Sequence, residues 1–160
     1  MLDLKRLSKN ELLLQNGWKP EHKVDIEEKT KIFPKALEVI EALEGITIRN
    51  LHPELGLGKD SFVIEFDYFN YDNSVTGELE ELSTKIGKAV LFIGIGYDII
   101  GDWVIDDEGI IYFRNKLKNY LHPFSLNIYD FFEKDIYKLT DLDGVISCEL
   151  WGALFHFHIF

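Results

Sequence analysis

Ala89–Asn115, AVLFIGIGYDIIGDWVIDDEGIIYFRN, is the stretch whose reading decides the fold. Three short apolar runs stand in it: Ala89–Ile95, Trp103–Ile105 and Ile110–Phe113. Val, Ile, Phe, Tyr and Trp dominate them, and these residues fit a pleated, half-buried surface. Glycines and carboxylates separate the runs: Gly94 and Gly96 with Asp98, then Gly101-Asp102, then Asp106-Asp107-Glu108-Gly109. An acidic tetrapeptide ending in glycine between two apolar runs signals a hairpin, because Gly109 takes positive φ at little cost. The stretch therefore predicts a three-stranded antiparallel meander with carboxylate-rich turns.

On the N-terminal side, Ser8-Lys9-Asn10-Glu11 has the form of a capping box opening a short helix with Leu12, Leu13 and Leu14. Gly17 is placed to end that helix in a left-handed cap, and Trp18 should fold back as a core anchor. Asp25–Lys31 is a charged segment of one or two helical turns. Pro34 opens the clearest amphipathic helix, with Ala36, Leu37, Val39, Ile40 and Leu43 on one side and Gly45 as its stop. Ile46–Leu51 and Ser61–Asp67 alternate as strands, and Glu78–Ile86 is helical again. On the C-terminal side, Lys116–Pro123 reads as a connector and Ser125 as the cap of a helix running to Leu139. The tail from Val145 to Phe160 is nearly all apolar or aromatic from Leu150 onward. It reads as an extra strand with both faces covered, or with one face awaiting a partner. The sum is an α+β pattern: one domain over residues 1–160, an antiparallel sheet with a central meander and helices packed on it.

The chain has 160 residues, 46% of them hydrophobic, enough for one domain with a real core. Its 28 acidic residues outnumber 17 Lys and Arg, for a net charge of −11. Such a field disfavours nucleic acid and favours a basic protein surface, although an acid excess also serves solubility alone. One cysteine, Cys148, precludes an internal disulfide. The first residues lack a signal-peptide core, and no apolar run approaches the roughly 20 residues of a membrane span. These features predict a cytoplasmic protein without a membrane partner.

Catalytic and cofactor motifs do not assemble. Gly94-Ile95-Gly96 lacks the third glycine and the following helix of a dinucleotide fingerprint, and no Gly-Lys-Ser/Thr phosphate loop is present. His156 and His158 would share one face of a strand, but a zinc site wants about four ligands and no others stand at telling spacing. Asp102, Asp106, Asp107 and Glu108 lack the register of a calcium loop. No enzyme, cofactor or metal site is expected.

Asn16-Gly17-Trp18 followed by Pro20 resembles the N-terminal "Gly-Trp" signature of one subgroup of the SUKH superfamily, immunity proteins of bacterial polymorphic-toxin systems. The helix Pro34–Leu43, its stop at Gly45 and the strand from Ile46 are similar to that family's helix and first strand. Leu91–Gly94, Trp103–Asp106 and Glu108–Tyr112 resemble its strand with Ile-Gly, its strand ending in Asp and its Gly-x-x-Tyr strand. The motifs run in order from Leu13 to Leu139. Two departures stand out: Ile40-Glu41-Ala42-Leu43 replaces a Phe-Leu ending, and the aromatic tail matches no family pattern. The resemblance implies a SUKH-like, non-enzymatic domain that binds and neutralises a cognate toxin, often a nuclease or deaminase. The alternative is a regulatory or scaffold module of the same fold that binds other proteins.

Turn residues at a sheet end can project without disturbing a core, and carboxylates beside a tyrosine suit a basic partner. Tyr97, Asp98 and Asp102 are therefore the first candidate contacts, with Asp106, Asp107 and Glu108 in the next connection. The competing reading is that these acids only form turns.

Overall fold

The three expected strands pair side by side, as the middle of a larger sheet. The structure, a computed structural model, describes residues 1–50, 62–69, 76–96, 101–116 and 120–138. Its strands are β1 (Thr47–Asn50), β2 (Phe62–Phe66), β3 (Val90–Gly96), β4 (Gly101–Asp106), β5 (Ile111–Asn115) and β6 (Tyr120–Ser125). They form one six-stranded sheet in sequential order, every neighbouring pair antiparallel. The helices are α1 (Leu4–Leu7), α2 (Glu11–Gln15), α3 (Pro34–Leu43), α4 (Thr76–Ile86) and α5 (Ile128–Asp130). The last runs on through a π-helical turn, Phe131–Asp135, and a 3-10 turn, Ile136–Lys138. Among the described residues no helix is long and apolar enough to cross a membrane.

Alternation along the strands sorts side chains onto two faces. In β4, Trp103 and Ile105 point one way, while Asp102, Val104 and Asp106 point the other. Trp103 is buried in an aromatic cluster, with ring centroids 5.0 Å from Phe113, 4.8 Å from Phe124 and 5.0 Å from Phe131. The edge-to-face contacts with Phe124 and Phe131 are the arrangement that aromatic quadrupoles favour. Phe66 extends the cluster through Phe131 and Phe132, joining β2 to the π-helical turn. Gly94 lies where two strands crowd: a Cβ there would stand 2.5 Å from the Glu65 carbonyl oxygen. The Gly94-Ile95-Gly96 segment is thus strand interior, and close packing against β2 accounts for Gly94.

Side-chain hydrogen bonds tie α1, α2 and their flanking residues to α3 and to the π-helical turn. Gly17 adopts φ +83°, with Gly17 N donating to Leu14 O and Trp18 N to Leu13 O, the paired bonds of a Schellman cap. That cap turns Trp18 inward. It is 1% exposed, and its indole N–H donates to Ala42 O of α3 at 2.8 Å. Asn10 caps α2 by accepting from Leu13 N at 3.0 Å, and its amide donates to Phe132 O at 2.9 Å. Arg6 makes two 2.6 Å bonds to the Glu133 carboxylate while its guanidinium stacks over the Tyr129 ring.

Three expectations are corrected here. Asn10, not Ser8, is the cap of α2; Ser8 ends α1 and its hydroxyl donates to Lys5 O. Much of the expected connector 116–123 is strand β6, because antiparallel pairing with β5 outweighs the weak local signal around Pro123. The expected helix 125–139 begins after Ser125, which is buried at the end of β6; Asn127 caps α5 by accepting from Asp130 N at 2.9 Å. The aromatic tail 145–160 lies outside the described residues.

Glu44, at the end of α3, is 6% exposed and accepts from the backbone of Tyr68 at 2.7 Å and Phe69 at 3.3 Å. Burial raises its pKa against those two hydrogen bonds, with Asp67 and Glu65 adding repulsion. A raised native pKa means that stability is greatest with the group protonated and declines as pH rises from the ordinary glutamate range through the native value. In urea titrations from pH 4 to 7, Glu44→Gln should remove that component, and the difference between the two stability curves should widen toward acid in favour of the wild type. A constant difference would show that Glu44 titrates alike in both states. Trp18→Ala should lower stability by about 3–5 kcal/mol, the range for deleting a buried large aromatic. An unchanged melting temperature would contradict its burial.

Candidate functional site: the acidic face around strand β4

The expected contact residues divide into three groups. Tyr97 and Asp98 lie outside the described residues. Asp102 and Asp106 are in β4 itself, on one face, and both are fully buried. Asp107 and Glu108 form the tip of the β4–β5 hairpin and are exposed.

Asp106 organises the hairpin. Its Oδ1 accepts from Glu108 N and Ile110 N, each at 2.9 Å, and its Oδ2 accepts from the Tyr112 hydroxyl at 2.9 Å. Its own backbone pairs with Ile110 O, and its carbonyl accepts from Gly109 N, which has φ +90°. Lys88, just after α4, places its ammonium 3.4 Å from Asp106 and 2.7 Å from Glu108. Its pKa is raised, chiefly by the Glu108 bond and further by Asp106. Burial, then the Asp106 charge, pushes the Tyr112 phenol far up, so it remains a donor across the ordinary pH range. With this many donors on one side chain, Asp106 ties the turn, the facing strand and Lys88 together.

Asp102 sits directly across from Arg114 in the β4–β5 register, an opposite-charge cross-strand pair. Arg114 Nη1 is 3.5 Å from Asp102, and Lys116 Nζ is 3.0 Å from it. Arg114 also donates to Glu78 of α4 at 3.0 Å, which holds the Glu78 carboxyl below its usual range and clamps α4 over this face.

What solvent meets on this side includes Asp107 and Glu108 at the tip, Glu78, Glu80 and Glu81 on α4, and the cation Lys116. Glu81 pairs with Lys85 at 2.7 Å, so the acids at the surface are partly answered. Lys88, Arg114, Lys116 and Glu78 were not singled out from sequence as parts of this site, and Tyr112 was marked only as the end of the Gly-x-x-Tyr motif. The available signal was alternation: Asp102 and Asp106 share a phase, and Tyr112 and Arg114 share the matching phase of the next strand.

A cleft of about 460 Å³ lies elsewhere, lined by residues that include Leu2, Leu4, Pro20, His22, Glu38 and Glu41. Its Glu41 is already held by Lys29 at 2.9 Å and Lys23 at 3.5 Å. Among the described residues, no group of three or more His, Cys, Asp or Glu is arranged to hold a metal ion. Cys148, His156 and His158 lie outside the described residues. No protein-family model, curated protein or solved structure matches the chain.

The two kinds of acid should respond oppositely to truncation. Asp106→Ala strands the Glu108 and Ile110 amides and the Tyr112 hydroxyl, and should cost about 3–5 kcal/mol, as for a broken buried charge network. Asp107→Ala should stay within about 0.5 kcal/mol. Chemical denaturation of the two variants side by side measures the contrast, and equal effects would contradict it.

Proposed function

We infer that this protein is an immunity protein: it binds a cognate toxin domain with a basic surface and neutralises it by stoichiometric association. The observation that carries this reading is the ordered series of motifs from Asn16-Gly17-Trp18 through Pro34–Leu43 to Ile93-Gly94, Trp103–Asp106 and Glu108–Tyr112. The motifs are spread over the α2 cap, α3, β3 and the β4–β5 hairpin, so their joint occurrence in that order is not a by-product of one element. Gly17 and Trp18 make the cap and anchor, Gly94 admits β2, and Asp106, Gly109 and Tyr112 build one hairpin.

Charge supports the reading. The net charge of −11 creates a field that steers a cationic partner toward the surface and speeds encounter. A toxin acting on nucleic acid is the matching partner, because handling phosphate favours a basic surface. Buried Asp102 and Asp106 contribute through the fold, and the exposed acids Asp107 and Glu108 are the contacts to test.

Co-expression with a basic nuclease or deaminase toxin encoded beside this chain should protect the host cell. The association rate of the purified pair should fall steeply as ionic strength rises, since exposed charges are screened beyond a Debye length of about 8–10 Å. Asp107→Lys, which keeps the Lys88–Glu108 ion pair, should leave the melting temperature nearly unchanged and lower the association rate at low salt. A salt-independent rate would remove the electrostatic argument, and absence of protection would remove the proposed role.

A further inference from the structure

β1 is an outermost strand of the described sheet, and its outward backbone groups are where another strand would add. At Arg49 those groups are already taken. The Asn16 side chain, at the end of α2, accepts from Arg49 N at 2.8 Å and donates to Arg49 O at 3.2 Å. One residue exchanging both bonds with one partner is the pattern of a hydrogen-bonded antiparallel pair, here made by a carboxamide in place of a peptide. Asn16 is held in position from behind: its amide also donates to Leu12 O at 2.8 Å, and the Gly17 cap follows at once. The outermost strand on the other side, β6, contains Pro123, which has no N–H to offer and is a residue suited to edge strands. Both outer strands thus carry a feature that discourages pairing, one by covalent structure and one by a side chain seated on the edge.

We propose that the Asn16 carboxamide is an intramolecular plug on the β1 edge, and that it keeps this edge from pairing with β1 of a second copy of the chain. The occupant excluded is a second copy because an antiparallel strand can pair with itself about a two-fold axis, each β1 edge meeting its equivalent. Arg49 is exposed, so removing the plug bares its donor and acceptor to solvent and to any such partner.

The test is Asn16→Ala, followed by sedimentation velocity and light scattering over a concentration series. The variant should double its mass relative to wild type as concentration rises, with its far-ultraviolet circular dichroism unchanged. The double variant Asn16→Ala with Arg49→Pro should return to the wild-type mass, because proline removes the outward N–H yet fits an edge strand whose inward bonds it does not touch. A folded Asn16→Ala chain that keeps the wild-type mass at all concentrations overturns the proposal. So does a doubled mass that survives Arg49→Pro, which would place the contact elsewhere. Should Asn16→Ala not fold, hydrogen exchange in the wild type decides: the Arg49 amide should exchange far more slowly than an open edge amide, and fast exchange overturns the plug.

Discussion

The buried carboxylate of Asp106 is the constraint on which the hairpin, and through it the sheet, depends. It stands at the end of β4, flanked by β3 and β5, and its two oxygens are shared among Glu108 N, Ile110 N, the Tyr112 hydroxyl and Lys88. Removing a charge from water costs several kcal/mol, and only a nearly complete set of donors offsets it. Those donors come from the turn, from the facing strand and from the end of α4, so the anion is tolerable only when all three are in register. A one-residue slip of β5 would send Tyr112 to the other face and leave Asp106 without its donor.

The opposite face is held by different physics. Trp103, Phe113, Phe124 and Phe131 meet at 4.8–5.5 Å between ring centroids, and Phe66 reaches the same cluster from β2. Apolar burial sets the distance between helices and sheet but is tolerant of orientation. Orientation comes from single directional bonds: Trp18 to Ala42 O, Asn10 to Phe132 O, Asn16 to Arg49. Two of the three are asparagines at the start and end of α2, a helix of five residues too short to be stable by itself.

Charge is divided by depth. Asp102 and Asp106 are inside and matched by Arg114, Lys116 and Lys88, while Asp107, Glu80 and much of the remaining acid face water. Matched interior charges give register; the exposed excess gives the field that a basic partner would meet.

Local pattern was sufficient for the elements whose cause is local. Gly17 and Trp18, the helix from Pro34 to Leu43, the turn at Gly109 and the strands from Ala89 to Phe113 follow from periodicity and glycine placement, and the antiparallel α+β class follows from their order. Strand β6 was hidden because Pro123 weakens its local signal and its pairing with β5 is a contact made only in the folded chain. The caps were misplaced by two residues at Ser8 and at Ser125, where several side chains could serve and packing chose among them. Asp102 and Asp106 read as turn acids, since burial of a carboxylate depends on donors that arrive from other strands and from α4. Sequence by itself determined where the backbone could bend and which runs must be covered. Tertiary structure alone decided which acids are buried, because a charge can leave water only where distant donors converge on it.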